Sequence, residues 1–277
     1  MLSILLPAFA DMLTGLSNAV FQLANGICGR SIVLDTLLTL ALDNPLVKAG
    51  VVGGCLLAAW HAAKNEDALH RSRRILLIAL MAALAAAATT KTLSRAVFLP
   101  RPFIESQKAF HLDGDRLVES PRVAYRPPLD QAGQAQYQSL LAGNVLRNDF
   151  GSFPSDHAGF YATVALGIWL ASRTPGAIAL TWTFVVILGS RIITGQHSPL
   201  DVAAGAGIGI VILLAWRWIA DRWFARVFDG IVQWTLRHPA FSGAVMFMAA
   251  FEVVDTLQSL RDLVKTLAAV GRVVIGV

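Results

Sequence analysis

The sequence predicts an all-α integral membrane protein, a helical bundle with about five or six transmembrane helices. Of its 277 residues, 55% are hydrophobic and only 15% are charged, and the mean hydropathy is +0.58. Five apolar runs carry most of this character, and most are slightly shorter than the ~20 residues that a transmembrane helix needs. The runs cover residues 46–63, 75–99, 158–172, 176–190 and 202–216.

The segment 1–45, before the first run, is expected to be an amphipathic helix at the membrane interface. It begins with MLSILLPAFA and has no lysine or arginine before Arg30, so it lacks the basic region of a secretory signal. Four polar residues interrupt the segment and weaken a transmembrane assignment: Asp11, Asn18, Gln22 and Asn25.

Short basic connections follow the first, third and fifth runs. They contain KNEDALHRSRR, then Arg173, then Arg217, Arg222 and Arg226, and the positive-inside rule assigns such connections to the cytoplasm. This orientation accounts for the net charge of +5 better than a nucleic-acid partner, which we do not expect. Tryptophans near the same ends are typical of an aromatic belt: Trp60, Trp169, Trp216, Trp218 and Trp223.

The opposite ends of the runs therefore face outward, and they carry the unusual polar residues. KTLSRAVFLPRP closes the second run, SFPSDHAGFY opens the third, and SRIITGQHSPLD joins the fourth to the fifth. Because consecutive helices alternate in direction, these stretches share one membrane face and predict a single composite site. The polar loop 103–152 lies on that face and is expected to cap the site or to form an ordered excursion.

The outward ends combine cations, histidines and carboxylates in a pattern that suits phosphate chemistry. Guanidinium groups donate paired hydrogen bonds to phosphate oxygens, and a helix start at Ser155 favours an anion. His197 and Asp201 are four residues apart, so the carboxylate can hold one imidazole nitrogen and leave the other free to attack phosphorus. His157 can protonate the leaving oxygen. The full set is Lys91, Arg95, Arg101, Ser155, Asp156, His157, Arg191, His197 and Asp201.

These groups suffice for phosphoryl transfer without a metal or another cofactor, and we expect neither. The face has no cluster of carboxylates of the kind that holds Mg²⁺, although the carboxylates of Asp156 and Asp201 do not exclude a metal ion. Cys28 and Cys55 are the only cysteines and suggest neither a disulfide framework nor a zinc site.

Structural roles are also open for several of these residues. Ser198, Pro199 and Asp201 match a capping box, and Ser155 and Asp156 match helix caps. Arg101 and Arg191 are alternatively snorkelling cations at the interface, but the shared face favours the site. The GAGIG sequence, with Gly205, Gly207 and Gly209, predicts close helix packing and is not a dinucleotide fingerprint.

These stretches resemble the signatures of the type 2 phosphatidic acid phosphatase superfamily, which also includes vanadium haloperoxidases. The third signature, Ser-Arg, five residues, His, three residues, Asp, is matched by Ser190, Arg191, His197 and Asp201. The second, Pro-Ser-Gly-His, appears as PSDH, with Asp156 in place of glycine. This variant resembles the bacterial undecaprenyl diphosphate phosphatase branch.

The first signature of that family, Lys, six residues, Arg-Pro, is matched in part. Arg101 and Pro102 occupy its end, whereas its lysine position falls on Ser94. Arg95 is one residue later and Lys91 three residues earlier, so either residue is a candidate for the first cation.

The resemblance covers residues 46–220 and implies a catalytic core there, between the segment 1–45 and a C-terminal helical extension, 221–277. It implies that His197 is a nucleophile that forms a phosphohistidine, that Asp201 orients it and that His157 is the acid. The phosphoryl oxygens would be held by Arg101, Ser155, Arg191 and one of Lys91 or Arg95, and Asp156 is counted with these substrate-binding residues. The extension is expected to contain a weak sixth span or an amphipathic surface helix.

The function that follows is metal-independent hydrolysis of a lipid phosphate or diphosphate, with undecaprenyl diphosphate as the preferred substrate. The expected partners are that lipid and the bilayer, in a bacterial inner membrane with the site facing the periplasm. Three alternatives remain: a lipid phosphotransferase with the same site, a phosphatidylglycerophosphate or phosphatidic acid phosphatase, and a binder or transporter of anionic lipids. The oligomeric state is not predicted.

Overall fold

The computed structural model describes residues 2–28, 30–63, 65–97, 99, 101–102, 108–113, 116–121 and 151–257. These residues are mostly helical, which confirms the all-α class. The helices are α1 Leu2–Asn25, α2 Ile32–Asp43, α3 Pro45–His61, α4 Glu66–Ala96, α5 Asp156–Ala171, α6 Arg173–Ile193, α7 Pro199–Arg222, α8 Ala225–Arg237 and α9 Pro239–Val254. Helix α6 contains a π-helical segment, Thr183–Leu188.

Local sequence explains where several helices begin. The side chains of Asn44, Asn65, Ser155 and Ser198 each accept a hydrogen bond from a backbone N–H in the first turn of α3, α4, α5 and α7. Such caps satisfy donors that have no partner inside the helix. A proline follows the cap of α3 and of α7, where its missing N–H costs nothing.

Three helices are long and apolar enough to cross a membrane by length and composition: α4, α6 and α7. Helices α2 and α3 pass the same test together, with a bend of 60° between Val33–Leu42 and Pro45–His61. Helices α5 and α9 are shorter, at 16 residues each. This count, for the described part of the chain, is roughly consistent with the five or six spans predicted.

Helix α5 lies in the middle of the bundle and packs against α4, α6 and α7. Its contact with α7 is close because of two glycines. A Cβ atom on Gly205 would be 2.2 Å from the carbonyl oxygen of Ser155, and one on Gly209 would be 2.4 Å from that of Gly159. Gly207 has nothing within 4 Å of its Cβ position. The predicted close packing at GAGIG is therefore confirmed at two of its three glycines.

At the end of the bundle opposite Ser155 and His197, arginines join helices that begin or end there. Arg74 in α4 pairs with Asp221 at 2.9 Å and with Asp229 in α8 at 3.3 Å. Buried Arg73 donates to the carbonyl oxygens of Trp60 and Thr235. These contacts place the start of α4 beside the ends of α3 and α7, as alternating helix directions require.

The assignment of Trp60 to an aromatic belt was wrong, because this side chain is only 1% exposed. Its Nε1 donates to the hydroxyl of Ser242 in α9 at 3.1 Å, and the Arg73 guanidinium lies 4.8 Å from the ring centroid. By contrast, Trp218 and Trp223 are exposed. Trp60 is a packing residue between α3 and α9.

The segments outside the central helices also contact them. In the loop 103–152, strands β1 Lys108–Asp113 and β2 Arg116–Pro121 form an antiparallel hairpin; most of that loop lies outside the described residues. Ser17 in α1 accepts a hydrogen bond from Leu200 N, and Asn25 donates to the carbonyl of Ile193. Helix α9 packs on α3, and residues 258–277 lie outside the described part.

Candidate active site

The helix ends that carry the predicted site meet through main-chain contacts. Ser155 N at the start of α5 donates to the carbonyl oxygen of Asp201 in α7 at 3.0 Å, and Ser152 N donates to that of Leu99 at 2.8 Å. Arg101 donates to Oε1 of Gln196, in the connection between α6 and α7. The stretches that carry the predicted site are therefore brought to one place.

His197 lies in the connection between α6 and α7 and is only 3% exposed. Its Nδ1 donates to the carbonyl oxygen of Ser152 at 2.9 Å, because a carbonyl can only accept. In the neutral imidazole the proton is then on Nδ1, so Nε2 carries the free lone pair. The ring is held in the tautomer that a nucleophile needs at Nε2.

Asp201 stands further from this ring than its spacing suggested. Its Oδ2 is 3.9 Å from His197 Nδ1 and accepts a hydrogen bond from Ser198 N at 2.7 Å, while Ser198 Oγ accepts from Asp201 N at 3.1 Å. The predicted capping box is therefore present. The direct acceptor for Nδ1 is the main chain of Ser152, which no side-chain pattern could indicate.

His157 is the second imidazole of the site, in the first turn of α5. Its Nδ1 is 2.9 Å from Oδ1 of Asp156, and its backbone N donates to the same oxygen at 2.8 Å. The ring of Tyr161 is stacked beside it, with the ring centroids 6.3 Å apart. Both histidines thus have their Nδ1 atoms engaged.

Arg191 and Arg101 provide positive charge around the histidines. Arg191, at the end of α6, is buried and donates to the carbonyl of Ile187 at 3.2 Å. Both arginines are close enough to His197 to act on it electrostatically. Hydrogen bonds to the main chain and to Gln196 orient these guanidinium groups.

Lys48 is a further cation near the site that the sequence interpretation missed. It lies in the first turn of α3, is 8% exposed and acts electrostatically on His157. The available signal was a lysine at the start of the first apolar run, at the end predicted to face outward, where the positive-inside rule does not explain a cation.

The two candidates for the first cation differ in position. Lys91 is exposed but acts electrostatically on Asp156, and Arg95 is exposed in the last turn of α4. Of the two, Lys91 is therefore the one for which an electrostatic effect on a site residue is evident.

Burial lowers the pKa of the His197 imidazole well below its usual value. The positive charges of Arg101 and Arg191 lower this pKa further, whereas Asp156 opposes them. His197 is consequently neutral at physiological pH, with Nε2 available to react.

Ser155 is fully buried, and its hydroxyl oxygen accepts from Ala158 N at 3.3 Å. Its predicted role as a helix cap is confirmed, and the capping contact leaves the hydroxyl proton available to donate. The free amide groups of the first turn add positive potential at the same place.

Asp156, His157 and His197 are the group of described residues whose ligand atoms, all within 4.8 Å of one another, could hold a metal ion. Arg191 and Lys48 act on His157, and Arg101 acts on His197. These charges disfavour a cation and favour an anion in the space between the histidines. The arrangement suits a phosphoryl group between a nucleophile and a proton donor.

Comparisons with known proteins agree on one family. The sequence profile of the PAP2 superfamily matches residues 74–225. The chain is 41% identical over 71 residues to the bacitracin transport permease protein BcrC of Bacillus licheniformis, covering 26% of this chain and 34% of that protein. It is 30% identical over 132 residues to phosphatidylglycerophosphatase B of Escherichia coli K12 and of Shigella flexneri, covering 44% of this chain and 51% of those proteins.

The matches span about a third to a half of the length of these relatives. No solved structure matches the chain.

Proposed function

The chain belongs to the PAP2 superfamily, and we propose that it is a membrane phosphatase that hydrolyses a lipid phosphate or diphosphate through a phosphohistidine on His197. The observation that carries this proposal is the hydrogen bond from His197 Nδ1 to the Ser152 carbonyl. It leaves Nε2 as the nucleophilic atom in a buried, cation-lined space.

In the first step, the Nε2 lone pair attacks phosphorus and the bond from phosphorus to the leaving oxygen breaks. His157 transfers a proton to that oxygen. Arg101, Arg191 and Ser155 hold the other phosphoryl oxygens, and Lys91, beside Asp156, takes the place of the first cation of the family pattern. Arginine forks suit the charge spread over these oxygens.

In the second step, water attacks the phosphohistidine and gives a proton to His157. The bond from phosphorus to Nε2 breaks, inorganic phosphate leaves, and both histidines return to their starting states. Asp201, 3.9 Å from Nδ1, stabilises the positive charge that develops on the His197 ring. The residues of the chain supply all groups for both steps, so the reaction needs no metal.

A lipid diphosphate is the substrate that we favour. Lys48 is a buried positive charge that acts on His157. One phosphoryl group would already occupy Arg101 and Arg191, so Lys48 supplies a positive charge for a second phosphate. The PSDH form of the second signature further favours undecaprenyl diphosphate. The likeness to phosphatidylglycerophosphatase B supports phosphatidylglycerophosphate as the second candidate.

We further propose that the protein lies in a bacterial inner membrane with this site facing the periplasm. Basic connections follow α3, α5 and α7, at the helix ends opposite the site. The positive-inside rule assigns such connections to the cytoplasm, which favours the periplasm for the site. The core would be 46–220, supported by the segment 1–45 through Ser17 and Asn25 and by the extension 221–277 through α9.

Phosphate release from the detergent-solubilised protein tests the proposal. Undecaprenyl diphosphate and phosphatidylglycerophosphate are supplied separately, with chelator and without an acceptor lipid, beside the His197→Ala variant. Release by the parent alone is expected. Release that needs added metal, or that persists in His197→Ala, would contradict the mechanism. Turnover seen only with an acceptor lipid would identify a phosphotransferase, and no turnover with any phosphate ester would favour a binding protein.

A further inference from the structure

Asp156 occupies the position where the family signature has glycine, and its carboxylate is directed at His157. Oδ1 accepts from the backbone N of His157 at 2.8 Å and lies 2.9 Å from Nδ1 of the same residue. An ionised carboxylate only accepts, so Nδ1 carries a proton and Nε2 is the exchangeable position. Asp156 therefore contacts the proposed acid directly.

We propose that Asp156 is a positioning residue for His157, which it orients and stabilises in the protonated form for leaving groups that need a proton. The proposal rests on the proposed function and changes the role of Asp156 from the substrate-binding one predicted from sequence. A carboxylate repels phosphoryl oxygens, whereas it attracts an imidazolium at hydrogen-bond distance.

The charges around His157 explain why such a partner is needed. Burial opposes protonation of this ring most strongly, and the positive charges of Arg191 in α6 and Lys48 in α3 oppose it further. Asp156 is the opposing negative charge, and Lys91 and His197 in turn act on Asp156. Without the carboxylate, an imidazolium would face several cations and no anion at hydrogen-bond distance in the described part of the site.

The orientation of the ring has two supports. Asp156 holds Nδ1 on one side, and the stacked ring of Tyr161 limits rotation on the other. Nε2 then points away from Asp156 and can give its proton to the leaving oxygen as the bond from phosphorus to that oxygen breaks. The step converts His157 to its neutral Nδ1-protonated form, which the same hydrogen bond retains.

Leaving groups of different basicity separate this role from a structural one. Phenyl phosphate loses a basic phenolate that benefits from protonation, whereas p-nitrophenyl phosphate loses an anion that needs little help. The variants are Asp156→Gly, which restores the family residue, and Asp156→Asn, which keeps an oxygen acceptor without the charge. For both variants we expect kcat/KM with phenyl phosphate, which reports the step that releases the leaving group, to fall by about 100-fold, within the usual range for proton transfer.

With p-nitrophenyl phosphate, kcat/KM should stay within about threefold of the parent, since general-acid help contributes little there. A similar loss of kcat/KM with both esters would show a merely structural role, and an unchanged kcat/KM with both would show no role; either result overturns the inference. A parent that releases phosphate from neither ester and from neither lipid would instead overturn the proposed function, and this inference with it. If the parent hydrolyses only the lipids, the tautomer of His157 decides the inference.

Histidine nitrogen NMR gives a readout that is independent of activity. At mildly alkaline pH the His157 signal of the parent should show the Nδ1-protonated tautomer, and Asp156→Gly should show a mixture of tautomers. His157→Gln assigns the signal. An unchanged tautomer in Asp156→Gly would contradict the proposed hydrogen bond.

Discussion

The amide nitrogen of Ser155 donates to the carbonyl oxygen of Asp201 at 3.0 Å, which joins the first turns of α5 and α7 main chain to main chain. Gly205 lies directly over the carbonyl oxygen of Ser155. The distance between the two site-bearing helices is therefore set by the absence of a side chain at Gly205.

Gly205→Ala should destabilise the protein and reduce activity. The added Cβ would be 2.2 Å from a backbone oxygen, so the helices must separate, at a cost of about 1–3 kcal/mol. Gly207→Ala is the matched control, because nothing lies within 4 Å of its Cβ position. Thermal unfolding in detergent measures both variants. Equal stability of the two would contradict the packing argument.

The His197 imidazole should remain neutral well below the usual histidine pKa of about 6.5. Its folded-state pKa is lowered by burial and by Arg101 and Arg191, so acidification protonates it only at lower pH. An NMR titration of labelled histidine measures this, with His197→Gln to assign the signal. A midpoint near the value for free histidine would refute the expected environment.

The cap and the electrostatic role of Asp201 can be separated. Asp201→Asn keeps an oxygen for the Ser198 N–H but removes the charge near His197, so kcat should fall at least about tenfold with little change in stability. Ser198→Ala removes only the hydroxyl cap and should cost about 1 kcal/mol of stability with kcat nearly unchanged. A kcat for Asp201→Asn equal to that of the parent would contradict an electrostatic role of Asp201 in catalysis.

Lys48→Met should affect a diphosphate more than a monophosphate ester. A charge-assisted hydrogen bond contributes about 1.5–3 kcal/mol, so kcat/KM for undecaprenyl diphosphate should fall by about 10–100-fold. For a lipid monophosphate the loss should be smaller, because the second phosphate is missing. Arg222→Met, an exposed cation in the last turn of α7 and far from Asp201 at its first turn, serves as the control. An equal loss on both substrates would show that Lys48 does not select the diphosphate.

The sequence predicted much of this molecule because apolar run length and residue spacing report helices and their ends. The shared face, the capping box at Ser198 and the convergence of Arg101, His157, Arg191 and His197 all follow from such local patterns. The family assignment rests on the same residues.

Other features depend on tertiary contacts that local patterns do not encode. The Ser152 carbonyl is a main-chain group, so the identity of the residue gives no sign that it binds His197. The burial of Trp60 depends on Ser242, which is distant in sequence. Lys48 resembles an ordinary helix-end cation until the fold places it beside His157.

The π-helical segment Thr183–Leu188 has a consequence for insertions and deletions in this region. A π turn amounts to one extra residue in an α-helix, and each residue of an α-helix advances the side chains by about 100°. Because the π turn absorbs that extra residue, deleting one residue from this segment would restore regular α-helix and leave Arg191 on the same side of α6, whereas a deletion in a regular part of α6 would rotate it away from the site. The segment is therefore the place in α6 where the chain can lose one residue while Arg191 and the third signature keep their positions.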